Sequence, residues 1–136
     1  MNLEKLKASL RKHEGIRHQP YRCTAGALTI GVGRNLDARG LSSDEIELLL
    51  DNDIKSCIFD LDRERHGWRA HSSARQNVLV EMAFNLGMPR LNLFVKMWQA
   101  LEDRDYIKAS EEMLNSAWAA QVGQRAVTLA QMMRNG

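Results

Sequence analysis

The stretch from Ser42 to about Glu64 restricts this chain more than any other. Ser42 and Glu45 form a capping-box pair at its start, and Ile46, Leu49, Leu50, Ile54, Ile58 and Leu61 recur at helical intervals along one apolar side. A helix of roughly 21 residues is about 30 Å long, enough to span a small protein. At 136 residues the chain is one domain by size, long enough for a real core and short enough to share it between two lobes.

The residues before that helix change pattern at Gly15. Leu3, Leu6 and Leu10 predict a helix from Met1 to about His13. Glu14 then falls where the last carbonyls are unpaired and the helix dipole is negative, a setting that disfavours negative charge. Pro20-Tyr21-Arg22-Cys23-Thr24 and Ala27-Leu28-Thr29-Ile30-Gly31-Val32-Gly33 read as short strands around a turn of small residues. Centred on Gly26, the hairpin sets Cys23 directly across from Thr29, with Cβ atoms roughly 4.5 to 5.5 Å apart. A carboxyl, a thiol and a hydroxyl are thereby gathered near one point, and the last two could hold one water between them.

The order helix, Glu14-Gly15, Tyr21, Cys23, Thr29-Ile30-Gly31-Val32-Gly33 resembles the catalytic segment of the phage-type lysozymes, the T4 lysozyme-like endolysins of glycoside hydrolase family 24. Glu14, Cys23 and Thr29 match that family's Glu, Asp or Cys, and Thr in identity and spacing. The resemblance covers nearly the whole chain. Leu41-Ser42-Ser43-Asp44-Glu45 with Leu48, Leu49, Asp53 and Ile54 is similar to the family's lobe-joining helix, and Ala74-Arg75-Gln76 through Met82-Ala83-Phe84-Asn85-Leu86-Gly87 to its buried central helix. It implies an α+β, mostly helical, two-lobe fold: a small β lobe over 14–40, a connecting helix over 42–64, and a helical lobe of 66–136 joined by the N-terminal helix 1–13. It implies catalysis by Glu14, Cys23 and Thr29, with Phe84 and Asn85 lining a sugar groove and Arg125 reaching back to Glu14. Arg34 stands where the best-studied member has a histidine facing an acid, and Asp53 is the acid that matches here.

Glycoside hydrolysis needs an acid to protonate the leaving oxygen and a second group on the opposite face to deliver water or attack the sugar carbon. Glu14 is the acid. Cys23 replaces the more usual carboxylate, and a free thiol with a pKa near about 8.5 is mostly neutral at pH 7. Two routes stay open: thiolate attack, or polarisation of a water also held by Thr29.

The resemblance implies a muramidase that cuts the β-1,4 bond between N-acetylmuramic acid and N-acetylglucosamine. Bacterial peptidoglycan is then the partner, and the enzyme is a monomer without cofactor or metal, held in the host cytoplasm until a holin releases it. A net charge of +2 gives little support to nucleic-acid binding, although Arg17, His18, Arg22 and Arg34 flank the site as a basic face. No segment nears the roughly 18 apolar residues needed to span a bilayer, and Met1-Asn2-Leu3-Glu4-Lys5 lacks a signal pattern. Cys23 and Cys57 fit a reduced compartment, and Cys57 reads as a small core residue. His13, His18, His66 and His71 show no tight zinc spacing with either cysteine.

The remainder reads as helical. Ser73 with Gln76 suggests a second capping box for a helix through Val78, Leu79, Met82 and Leu86, ended by Gly87. Gly67 to His71 reads as a connection. Leu91 to Leu101, Tyr106 to Leu114, and Val122 to Met133 supply three more helices, Trp118 reads as core, and Met132-Met133 as helix packing. Two other functions compete with hydrolysis: a peptidoglycan-binding protein of this fold that has lost turnover, and a cysteine peptidase or amidase using Cys23. Nucleophilic cysteines of the latter usually sit at helix N-termini, whereas Cys23 lies in a hairpin.

Overall fold

A computed structural model describes residues 1–136, which divide into two compact units, Met1–Leu48 and Leu49–Gly136. In the first, helix α1 (Leu3–Glu14) is opened by Asn2, whose side chain accepts from Lys5 N at 3.0 Å, and closed by Gly15 at φ +78°. A three-stranded antiparallel sheet follows in the order β1 (Arg17–Arg22), β2 (Leu28–Gly31), β3 (Arg34–Asn35). Pro20 is tolerated because β1 is an edge strand, and the register of β1 on β2 is irregular between Arg17 and Tyr21. Asn35 caps the short helix α2 (Leu36–Arg39), and Asp37 Oδ2 accepts Leu28 N at 2.8 Å, tying α2 to the sheet.

The long helix α3 (Ser43–Glu64) runs where the sequence predicts it, and its capping box is formed. Glu45 N donates to Ser42 Oγ at 3.3 Å and Ser42 N to Glu45 Oε1 at 2.9 Å. Its apolar side is less covered than its periodicity suggests: Leu61 is buried, while Ile46, Leu49 and Leu50 are exposed. The boundary between the units falls within α3, and α1 lies in the same unit as the sheet. α1 buries none of its residues.

The second unit holds the core. α4 (Ser73–Leu86) buries Val78, Leu79, Met82, Ala83 and Leu86, the broad apolar surface expected of a central helix. Around the core lie α5 (Met88–Leu91), α6 (Val95–Glu102), α7 (Tyr106–Leu114), α8 (Ala117–Val122) and α9 (Gln124–Asn135), with α7 packed on α6 and α9, and α4 on α9. The cap of α4 is Ser72, one residue earlier than predicted, accepting from Arg75 N. Gln76 serves a different purpose: its amide donates to the carbonyls of Arg69 and His71 at 2.8 Å, fixing the connection, which forms a 3-10 turn over Trp68–Ala70. Met82, Met97, Met113 and Met133 are wholly buried, flexible side chains that fill the irregular gaps between short helices. Each buried tryptophan satisfies its indole N–H, Trp68 on Asp62, Trp98 on the Leu91 carbonyl and Trp118 on Asn85. No helix is long and apolar enough to cross a membrane.

Candidate active site

Glu14 is the last residue of α1, and its carboxyl lies against Gly33 in the β2–β3 turn. A Cβ built on Gly33 would sit 2.8 Å from Glu14 Oε2 and 3.1 Å from its Cδ. Gly33 also has φ +67°, a conformation that penalises any side chain. Two independent reasons thus require glycine here, and one of them is the acid itself. The sequence reading did not single out Gly33. In the sequence Gly33 reads only as the end of a strand and as part of the segment that carries the resemblance, neither of which says what lies on it.

The hairpin brings Cys23 and Thr29 together by a register other than the predicted one. Tyr21, not Cys23, pairs with Thr29, and Arg22 pairs with Leu28. Cys23 instead faces Ala27, with its N–H donating to the Ala27 carbonyl at 3.0 Å, while Gly26 N closes the turn on the Cys23 carbonyl at 2.8 Å. The loop is therefore centred on Ala25, and Gly26, at φ +84°, supplies the left-handed residue that lets so short a turn close. Cys23 and Thr29 remain on one face of the ribbon as diagonal neighbours.

This turn changes the chemistry of the thiol. The backbone N–H groups of Ala27 and then Ala25 hold the Cys23 thiol below its ordinary value, against a smaller opposing effect of burial, with Thr29 and Gly26 adding to the lowering. The Thr29 hydroxyl donates to the Ala27 carbonyl at 2.9 Å, so its proton is engaged and the amides provide most of the stabilisation. Its free oxygen lone pair is left to accept from a third party. Thr29 is also the most buried residue of its unit, 4% exposed, which fixes that oxygen in place.

Arg34 does not take Asp53 as its partner. It grips Glu45 with two nitrogens, at 2.9 and 2.8 Å, and donates to the Gly40 carbonyl at 3.0 Å. Glu45 is three residues beyond Ser42, and its place in the capping box sets it beside β3. The Arg34 guanidinium, with Ser42 behind it, lowers the Glu45 carboxyl to about 2. Arg34 thus fastens β3 to the start of α3.

In the second unit, Phe84 and Asn85 both lie on the exposed side of α4. Phe84 is 45% exposed and lines a cavity of about 300 Å³ together with Asp53, Cys57 and Met88. Asn85 accepts from the indole of Trp118 at 2.8 Å, which fixes its amide and leaves the NH₂ free to donate. Trp118 itself is buried, and packs edge-on against Phe94. Arg125 lies 3.6 Å from Glu81. Cys57 is partly buried against the core, and burial, then Asp60 and Asp53, pushes its thiol up. No group of three or more His, Cys, Asp or Glu side chains is gathered closely enough to hold a metal ion.

Residues 11–134 match the phage lysozyme family. The chain is also similar to a probable T4-type lysozyme 2 of Dictyostelium discoideum, 24% identical, the alignment covering 96% of this chain and 94% of that protein. A match over so much of the length, beginning before Glu14 and ending beyond Arg125, places the chain in the phage lysozyme family, whose members are glycosidase-type hydrolases acting on peptidoglycan.

Proposed function

We propose that this protein is a muramidase that hydrolyses the β-1,4 bond between N-acetylmuramic acid and N-acetylglucosamine, with Glu14 as the acid and Cys23 and Thr29 serving the opposite face of the sugar. One observation carries this reading: the Glu14 carboxyl lies on a glycine turn of the sheet whose neighbouring hairpin presents a thiol with lowered pKa beside a fixed hydroxyl oxygen. Glu14 protonates the leaving oxygen. A water donating one proton toward Thr29 Oγ1 and the other toward the Cys23 sulfur is polarised for attack on the sugar carbon. Phe84 offers a ring face to the polymer, and the Asn85 NH₂ donates to it. Arg34, by its grip on Glu45, holds the strand paired with the one that carries Thr29. In the cell, the enzyme is a monomer held in the host cytoplasm until a holin admits it to the wall, the role of an endolysin.

The test is mass spectrometry of wall digested by the native chain, Cys23→Ser and Cys23→Asp. Fragments ending in reducing N-acetylmuramic acid are expected from the native chain and from Cys23→Asp. Cys23→Ser, which ionises far less readily, should lose most of its rate while keeping its melting temperature. Anhydro-sugar ends would exclude hydrolysis, new amino groups would point to a peptidase, and full activity in Cys23→Ser would reduce the thiol to a space filler.

A further inference from the structure

The Leu49–Gly136 unit contains a cavity of about 210 Å³, of mixed polar and apolar lining, that none of the proposed catalytic or substrate-contacting residues lines. Arg65, His71, Trp98, Glu102 and Arg104 form its walls. His71 is 8% exposed, and its Nδ1 lies 2.8 Å from Arg104 and 3.0 Å from the Tyr106 hydroxyl. A guanidinium can only donate, so Nδ1 is the acceptor and the proton of the neutral ring resides on Nε2. Burial, then Arg104 and Arg75, keep the ring neutral by lowering its pKa. The Nε2–H is the polar group of this buried ring that neither Arg104 nor Tyr106 uses.

Neither arginine of this wall has a carboxylate within ion-pair distance, a condition shared with Arg75 and Arg90 but not with every surface arginine. Arg34, Arg63, Arg69 and Arg125 each lie within ion-pair distance of a carboxylate. Arg65 instead stacks 4.4 Å over Trp98 and gives Nε and one terminal nitrogen to Asn92, and Arg104 gives one nitrogen to a neutral imidazole. Their positive charge therefore stays uncompensated at contact distance. Glu102 and then Glu64 act on Arg65 through space, Glu64 from behind Asn92, and of the two only Glu102 lines the wall.

We propose that this cavity binds an α-amino-acid zwitterion, with Arg65, Arg104 and the His71 Nε2–H taking the carboxylate, Glu102 the ammonium, and Trp98 the carbon side chain. A simple anion would leave Glu102 as a repulsive neighbour, and a simple amine would face two guanidinium groups. Only a ligand carrying both charges uses every charged wall residue. A free amino acid has this group, and so does the free end of a branched peptide. The inference is independent of the glycosidase reading, because its test measures binding and not turnover.

The experiment is a ¹⁵N NMR titration of the full chain with D-alanine, acetate, methylammonium and a soluble muropeptide bearing diaminopimelate. Saturable shifts at Gly67, the Trp98 indole and Leu101 are expected with D-alanine, at an affinity about tenfold above acetate, the usual worth of a charge-assisted hydrogen bond. Glu102→Gln should erase that advantage, and Arg104→Gln should weaken D-alanine and acetate alike by about tenfold. Unshifted core methyl signals confirm that each variant is folded. Tighter binding of the muropeptide would identify a peptide end as the ligand, and tighter binding of D-alanine a free amino acid. Absence of saturable shifts, or equal affinity for acetate and D-alanine, would overturn the proposal.

Discussion

The two units of this chain divide the work of an enzyme between them. Met1–Leu48 carries Glu14, Cys23 and Thr29, yet Thr29 is the one residue it buries. It is held in shape by helix caps, strand pairing, Asp37 on Leu28 N, and the grip of Arg34 on Glu45. Leu49–Gly136 buries Leu61, Val78, Leu79, Met82, Leu91, Met97, Leu101, Met113 and Met133 almost completely. Burying such a side chain contributes about 1.5–3 kcal/mol, so stability is concentrated in the second unit. Proposed chemistry and stability therefore sit on different stretches of the chain, and substitutions in the two should fail in different ways.

The largest expected effect lies in the first unit. Glu14→Gln should lower the lytic rate by about 10²- to 10⁴-fold, the usual contribution of a general acid, while the urea midpoint stays put. Turbidity clearing of permeabilised cells measures the first and fluorescence the second; clearing equal to the native chain would remove Glu14 from the site. In the second unit, Leu79→Ala should behave in the opposite sense. It should cost about 2–5 kcal/mol of stability, with activity retained per folded molecule. A shift below about 1 kcal/mol would mean that the core is not where stability resides.

Gly33→Ala sharpens the comparison, because it disturbs both quantities within the first unit. Backbone strain at φ +67° should cost about 1–2 kcal/mol, and the new methyl must displace the Glu14 carboxyl, lowering the rate well beyond that strain. Gly40→Ala is the control, with φ +56° and nothing within 4 Å of its Cβ. Equal rate losses in the two variants would mean that Gly33 positions nothing. The smallest effect is a difference in acid response. The folded His71 pKa is lowered, so its contribution is present above 6.5, the ordinary value, and is lost as pH falls below it, because the unfolded chain takes up the proton more readily. Glu45 is held at about 2 against an ordinary 4.5, so its contribution persists down to pH 4.5 and is lost as pH falls toward 2. Residue-resolved hydrogen exchange should therefore show the second unit loosening at milder acidity than the junction of β3 with α3. The reverse order would contradict both assignments.

Much of the fold was legible because its signals are local. The capping box of Ser42 and Glu45, the period of α3, the stop at Gly87 and the boundaries of α7 each depend on neighbours within a few residues. Errors arose where two readings of a local signal were equally good. Ser72 and Ser73 both suit a helix cap, and only the position of Arg75 N chose between them. A turn of Ala25, Gly26 and Ala27 can be centred on either of its first two residues, and a shift of one position changed the partner of Thr29 from Cys23 to Tyr21. The thiol and hydroxyl still share a face because that shift moves the opposing register by two residues, which preserves the alternation of the strand.

From the sequence alone came the helical period, the turn chemistry and the presence of an acid, a thiol and a hydroxyl at a telling spacing, since all of these follow from side chains acting on their own stretch of backbone. Which carboxylate holds Arg34, which amides lower the Cys23 thiol, and that Gly33 forms the surface beneath Glu14 were decided only by tertiary structure. Such contacts depend on distances of a few ångströms between elements, and residue order does not encode those distances until the chain has folded.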